Sequence, residues 1–366
     1  MDFLNNLFKK ENKSVLGIDI GSSSIKVVQL KKKGDKAILE TYGELSLGPY
    51  AGVSVGQSTN LGTDKIIEAV TDLLNEKEVA LTTKVAGIAI PFRSSLLSII
   101  TMPEVGQKQL TTMVPIEARK YVPVPISDVT LDWSIVPKLA VEDEEKKDPS
   151  RVKTIDILLV AIHNNIINQY QEVITKTGID AKFFEIEVFS SLRAVLPDAN
   201  KPTMIFDMGA STTKLYIINR GLVHSSHIIN KGSQDITANI ARLLNIPVND
   251  AEIIKRNIGM GKTSDGVDLA ETAEVVSQYI FTEANRFLFN FQQKTNHNIK
   301  SVILIGGGSA LKGFRKIAEE NFKVEVISGN PFEKVEAPAF LEEVLSSTGP
   351  EFAVAVGSAL RALAEV

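Results

Sequence analysis

The sequence contains no cysteine. That excludes a disulfide framework and any thiolate-held metal site. Histidine is almost as scarce: four residues, at 163, 224, 227 and 297, none at the spacing of a paired metal ligand such as H-E-x-x-H. They read as surface or locally hydrogen-bonded side chains. No excess of positive charge exists either. The net charge of -4 gives no broad basic field for a nucleic acid. Long apolar runs are missing too, since nothing approaches the ~20 residues that a spanning helix needs. The leader "MDFLNNLFKKENKS" has too short an apolar part for a secretory signal and no small-residue cleavage site after it. The expected location is therefore cytoplasmic. Phe3, Leu4, Leu7 and Phe8 fall on one helical face followed by Lys9, Lys10 and Lys13, which suits either contact with a membrane surface or loose packing on the fold.

What is present fits a soluble globular chain. It has 366 residues, 44% hydrophobic and 23% charged, long enough for two domains or one bilobed fold. One phrase occurs twice, as "GIDIGSSSIK" at 17–26 and "IFDMGASTTK" at 205–214. Each has an Asp at the end of an apolar run, Gly two residues later, three small residues and a Lys. Strands are expected at 15–19, 25–30, 37–42 and 85–91, with a helix at 63–75. The segment 92–182 differs in character and reads as a small α+β insertion. It has a strand ending at Pro103, a helix at 107–119 kinked by Pro115, and strands in "TLDWSIVPKL" and "TIDILLVAI". The charged "AVEDEEKKDPSR" between those strands reads as a hairpin loop, and 164–177 as a helix. The second phrase opens a second half. Strands at 203–207, 214–219 and 222–229 precede the helices "SQDITANIARLLN", "NDAEIIKRNIG" and 271–293, then "SVILIGGGSALKGF" as strand, Gly turn and helix. Two halves that start alike suggest duplication of one α/β module.

The repeated phrase carries chemistry. Gly two residues past the Asp lets backbone N–H groups approach a ligand, and small hydroxyl residues add donors without bulk, so each turn is an anion cradle. Two copies imply two hairpins gripping one phosphate chain: Gly21, Ser22, Ser23, Ser24 and Lys26 from one side, Gly209, Ala210, Ser211 and Thr212 from the other. Asp19 and Asp207 would repel phosphate without a cation, so they are expected to hold a hydrated Mg²⁺. Lys26 supplies a point charge for the phosphates; for its counterpart Lys214 a solvated or structural role fits at least as well as the same one. Gly306, Gly307, Gly308 and Ser309 form a third turn, suited to a base or to a phosphate at a helix N-terminus. Glu252 and Lys255 in "AEIIKR" share a helical face and can bracket a ribose.

These residues, in this order, resemble the actin-like ATPase superfamily. "FEIEVFSSLRAV" is similar to its first connecting helix and "FAVAVGSALRALA" to its second. Within it the chain resembles the PilM family of type IV pilus assembly, above all in "LSIITMPEVGQKQLTTMVPIEARKYVPVPISDVTLDW". The resemblance implies a duplicated two-lobed α/β, ribonuclease H-like fold with a nucleotide cleft. Its first lobe would take 14–91, 183–200 and 350–366, with an FtsA-like insertion at 92–182. The second would take 201–349, with 231–297 as a helical subdomain. It also implies binding of ATP or ADP with Mg²⁺, in which Gly232 joins the phosphate turns and Glu187 orients an attacking water should hydrolysis occur. The implied partner is the cytosolic N-terminal tail of a PilN-like membrane protein, which would hold the chain on the inner membrane's cytoplasmic face. The pilus motor, other assembly components and further copies of the chain are open as partners. Lys231-Gly232 stands where that family tends to have Gly-Gly, and Ala310 where chaperone relatives carry a base-stacking Arg.

Two other readings compete. A small-molecule kinase on this fold needs a carboxylate base at a substrate hydroxyl, and no Asp loop suggests one. An FtsA-like division or polymerising protein is expected to end in a linker and an amphipathic helix, for which no room remains after "FAVAVGSALRALA".

Overall fold

The computed structural model describes residues 13–136, 153–264 and 266–366. The leader with its apolar face and the charged segment 140–151 lie outside them. The chain divides into two compact units, Met1–Pro91 with Val173–Val366, and Phe92–Glu172.

The larger unit contains the duplication. Strands β1 (Ser14–Ile20), β2 (Ser24–Lys33), β3 (Lys36–Ser46), β4 (Val85–Ile90) and, after the smaller unit, β8 (Asp180–Ile186) form a sheet in the order β3-β2-β1-β4-β8. The second half repeats it with β9 (Thr203–Met208), β10 (Thr213–Asn219), β11 (Leu222–Ile229), β12 (Ser301–Ile305) and β13 (Glu325–Ser328), in the order β11-β10-β9-β12-β13. Pairing sense matches as well. The hairpin strands are antiparallel, and the strands across the middle are parallel. β1 and β9 are central and almost wholly buried, as continuous apolar runs in mixed sheets require.

The core of the second half gathers under its sheet. Phe206 stacks on Phe281 with ring centroids 5.8 Å apart, and Phe322 meets both rings edge-on. Helix α1 (Thr63–Asn75) belongs to the first half, burying Ile66, Ala69, Val70 and Leu73. Helices α5 (Ser233–Leu244), α6 (Val248–Ile258) and α7 (Leu269–Thr295) follow β11 in the second half. The sequence places α5 to α7 closely but misses β13, which is too short to show a period, and β8. The start of "FEIEVFSSLRAV" is the end of β8, and only Glu187–Val195 is helix, α4.

Two helices carry the chain between the halves, α4 outward and α10 (Ala353–Glu365) back. They cross at backbone contact. A Cβ on Gly357 would stand 1.8 Å from Ser190 O, and one on Gly17 of β1 would stand 1.9 Å from Ala355 O. Glu185 locks the crossing. It accepts from Ser190 and Arg193, both at 2.6 Å, and from Arg361 at 2.9 Å.

The smaller unit is a three-stranded antiparallel sheet, β5 (Ser95–Pro103), β6 (Val129–Val136) and β7 (Thr154–His163), with β7 central. Helix α2 (Gln107–Ala118) runs through Pro115 as one element. It buries Leu110, Val114 and Ala118 with Ile100, Met102, Ile157 and Leu159. Helix α3 (Asn164–Thr177) leads back to the larger unit.

Candidate functional site

The repeated phrase builds the same object twice. Its Asp and Lys stand seven positions apart, and the hairpin makes them cross-strand partners: Asp19 opposite Lys26, Asp207 opposite Lys214. Each turn closes identically. Gly21 N–H donates to Ser24 O and Gly209 N–H to Thr212 O, both at 3.0 Å. The next N–H groups, those of Ser22 and Ser23 in one turn and Ala210 in the other, find no acceptor among the described residues. The tips meet, with Ser22 Oγ 3.3 Å from Ser211 Oγ. A cavity of about 380 Å³ lies against both turns. Unpaired N–H groups at the wall of a cavity form an anion site.

Most of the residues expected from the sequence share that cavity. Asp19, Gly21, Ser22, Ser23, Ser24, Lys26, Glu187, Asp207, Gly209, Ala210, Thr212, Glu252, Lys255, Gly306 and Gly307 line it. Ser211, Gly232, Gly308 and Ser309 are not part of its lining. Gly232 is a packing residue, since a Cβ there would lie 2.4 Å from Ala210 O. It lets the first N–H groups of α5, on Ser233 and Gln234, donate to Gly209 O and Ala210 O. The third turn also differs from expectation. The N–H of Gly306 is spent on Pro350 O and that of Gly308 on Met208 O. No helix starts at the glycines: α8 (Phe314–Asn321) begins beyond them, because Gly306 and Gly313 take positive φ. Glu252 and Lys255 are tied to each other at 2.7 Å and to Thr237, and Arg256 is 2.8 Å from the same carboxylate. Glu44, Gly56, Ser347, Thr348 and Glu351 also line the cavity. They belong to no repeated phrase, and only the fold brings them in.

The charges are arranged unequally in the two hairpins. Lys26 turns from Asp19 to Glu44, 3.0 Å away, and donates to Ser24 Oγ. Lys214 stays with its own hairpin, 2.8 Å from Asp207 Oδ2, and also donates to Glu187 Oε2 at 2.8 Å. It is neither solvated nor idle. Its ammonium is held well above the ordinary lysine range by Asp207 and Glu187, against the opposing effect of burial. Asp19 lacks such a partner. Burial, then Glu187, push its carboxyl from 3.8 up to about 7.

That shift has a consequence for stability. A carboxyl raised in the folded state holds a proton that the unfolded chain gives up, so wild-type stability is lost as pH rises from about 4 to about 7. The full shift sets a ceiling of ~4 kcal/mol, and water entering from the cavity brings the expected effect to ~1–3 kcal/mol. Asp19→Asn is therefore expected to match the wild type near pH 4 and exceed it by that amount at pH 8, read by denaturant unfolding. Parallel pH profiles would contradict this.

The magnesium expected between Asp19 and Asp207 does not fit the donor set. Asp207 Oδ2 is taken by Lys214, and Oδ1 packs so closely on Gly306 that a Cβ there would lie 2.5 Å away. Among the described residues no group of three or more His, Asp or Glu can hold a metal ion. The sequence assigned the second carboxylate to magnesium; the structure assigns it to Lys214.

The family model described as type IV pilus assembly protein PilM matches residues 17–363. A solved PilM–PilN type IV pilus biogenesis complex superimposes with a TM-score of 0.79 at 23% identity, covering 95% of this chain and 98% of that one. The ethanolamine utilization protein EutJ from Carboxydothermus hydrogenoformans follows at 0.54 and 16%, covering 98% and 96%. Cell division protein FtsA of Neisseria meningitidis is 22% identical over 360 residues, 89% of this chain and 86% of FtsA. The fold is the actin-like two-lobed α/β fold. No helix among the described residues is long and apolar enough to cross a membrane.

Proposed function

The chain belongs to the family of the type IV pilus assembly protein PilM, and on that premise we propose that it is an ATP-binding scaffold of the pilus machinery that docks the cytosolic N-terminal tail of a PilN-like membrane protein. The observation that carries the nucleotide is the pair of identical turns meeting at Ser22 and Ser211, with the N–H groups of Ser22, Ser23 and Ala210 unspent. Polyphosphate satisfies such groups. The cavity suits a nucleotide better than a bare anion, since it extends from the turns to Glu252, Lys255 and Arg256 on α6 and to Ala310 and Leu311 after the glycines.

The partner follows from the family and from the smaller unit. The solved relative is a complex with PilN. β5 and β6 are the outer strands of a three-stranded sheet, and an extended peptide can add to such an edge through its backbone. The test is fluorescence anisotropy of a labelled tail peptide with nucleotide-free, ADP-loaded and ATP-loaded protein. Binding is expected to vanish when 92–172 is replaced by a short linker in a chain that still folds, and to differ by ~3-fold or more between nucleotide states, a coupling of ordinary size. Persistent binding to the folded deletion variant would place the partner elsewhere. Equal affinity in all three states would leave a scaffold without a switch.

Hydrolysis, if it accompanies binding, depends on Glu187. Its carboxylate is already engaged by Lys214. Glu187→Gln is expected to keep ATP affinity within ~3-fold and to slow single-turnover hydrolysis, because orienting a water acts on the transition state. Equal rates would exclude the role.

A further inference from the structure

We propose that Lys214 is the resident cation of this site, so that the chain holds polyphosphate with little dependence on magnesium. The inference rests on the nucleotide reading above and gives that site its counter-ion.

The two hairpins are not symmetric in how they place their charges. Both place a Lys across from an Asp. Only in the second does the ammonium close on that Asp, and there it also takes a second carboxylate from another element, Glu187 at the first residue of α4. Lys26 instead leans to Glu44 on β3. Asp207 is 5% exposed and Glu187 7%. Two buried carboxylates that close together must be neutralised by something, and here a covalently attached ammonium does so.

A hydrated divalent ion needs carboxylate oxygens that face its water shell. An ion at Asp207 would have to displace Lys214, because Oδ2 accepts from the ammonium at 2.8 Å. An ammonium between Asp207 and Glu187 also repels any second cation brought to the same oxygens. Lys has three donors. Two are used on the carboxylates, which leaves one for a phosphate oxygen held by the turns. Lys214 is thus a specificity-determining residue: it replaces a metal requirement with a side chain.

The experiment uses Mn²⁺ alone, without nucleotide, followed by electron paramagnetic resonance on the full-length protein. Wild type is expected to show no site tighter than ~1 mM, typical of weak carboxylate sites. Lys214→Ser should gain a site at least ~10-fold tighter, and Lys214→Arg should behave as wild type. If circular dichroism shows Lys214→Ser to be unfolded, Lys214→Gln, which keeps length and polarity, takes its place. Equal Mn²⁺ affinity in wild type and the neutral variant would overturn the proposal. A second arm measures ATP affinity with Mg²⁺ and with EDTA. The wild-type value is expected to change by less than ~3-fold and that of Lys214→Ser by ~10-fold or more, the scale of losing a metal contact. A tenfold loss for wild type in EDTA would also overturn it. Failure of wild type to bind ATP in either buffer would reject the nucleotide reading, and the Mn²⁺ arm would still decide this one.

Discussion

Gly357→Ala is expected to cost ~3 kcal/mol or more, at or beyond the usual range for overpacking, because the obstruction is backbone and cannot rotate aside. The new methyl would lie 1.8 Å from Ser190 O, so α10 and α4 must separate. That separation strains the crossing held by Glu185, Arg193 and Arg361. Both helices run between the halves, so a wider crossing should also loosen the cavity. Thermal and denaturant unfolding check the first effect. Gly62→Ala is the control, since nothing lies within 4 Å of a Cβ there and φ is -67°; a change within ~0.5 kcal/mol is expected for it. Comparable stability of Gly357→Ala and wild type would mean that the helices do not cross at backbone contact.

Lys26→Met is expected to lower ATP affinity by ~100-fold, the upper range for losing a hydrogen bond to a charged group. Lys26 does two things in the cavity. It presents positive charge beside the first turn, and it offsets Glu44 at 3.0 Å and the nearby Glu351. Burial already raises the Glu351 carboxyl above its ordinary range, with Lys26 opposing. Without the ammonium, phosphate at the first turn would meet those two carboxylates without the lysine that offsets them. Isothermal titration with ATP checks it, with Lys36→Met, at the exposed pair with Glu336, as control. A loss below ~3-fold in Lys26→Met would show that the charge does not face the ligand.

The duplicated architecture was legible because its signal is local. "GIDIGSSSIK" and "IFDMGASTTK" contain the strand, the turn glycine and the return strand within ten residues each. Their seven-residue Asp-to-Lys spacing becomes a cross-strand pair once the hairpin closes. What the spacing could not distinguish was the fate of the two lysines. That depends on Glu44 and Glu187, one on the neighbouring strand β3 and the other on α4, and neither is near its lysine in sequence. The magnesium expectation left the lysine out for the same reason: it counted carboxylates without knowing that an ammonium would occupy one of them. Gly232 was expected among the phosphate turns by resemblance alone, and the contact that requires a glycine there, with Ala210 O, comes from another segment. The glycine run at 306–308 looked like the start of a helix, whereas the N–H groups of Gly306 and Gly308 donate to Pro350 O and Met208 O. Glu351 lies in a stretch with no pattern, and the return of the chain into α10 alone brings it to the cavity.

The central claim is that the two repeated turns grip one nucleotide. Hydrogen–deuterium exchange with and without ATP tests it most directly, because the donors at issue are backbone N–H groups. Those of Ser22, Ser23 and Ala210 have no acceptor among the described residues. ATP is expected to slow exchange in peptides covering 19–26 and 207–214 together, with a smaller effect at 305–311, while peptides of the smaller unit's sheet core change little. Protection of only one of the two turns, or of neither at saturating ATP, would contradict the claim.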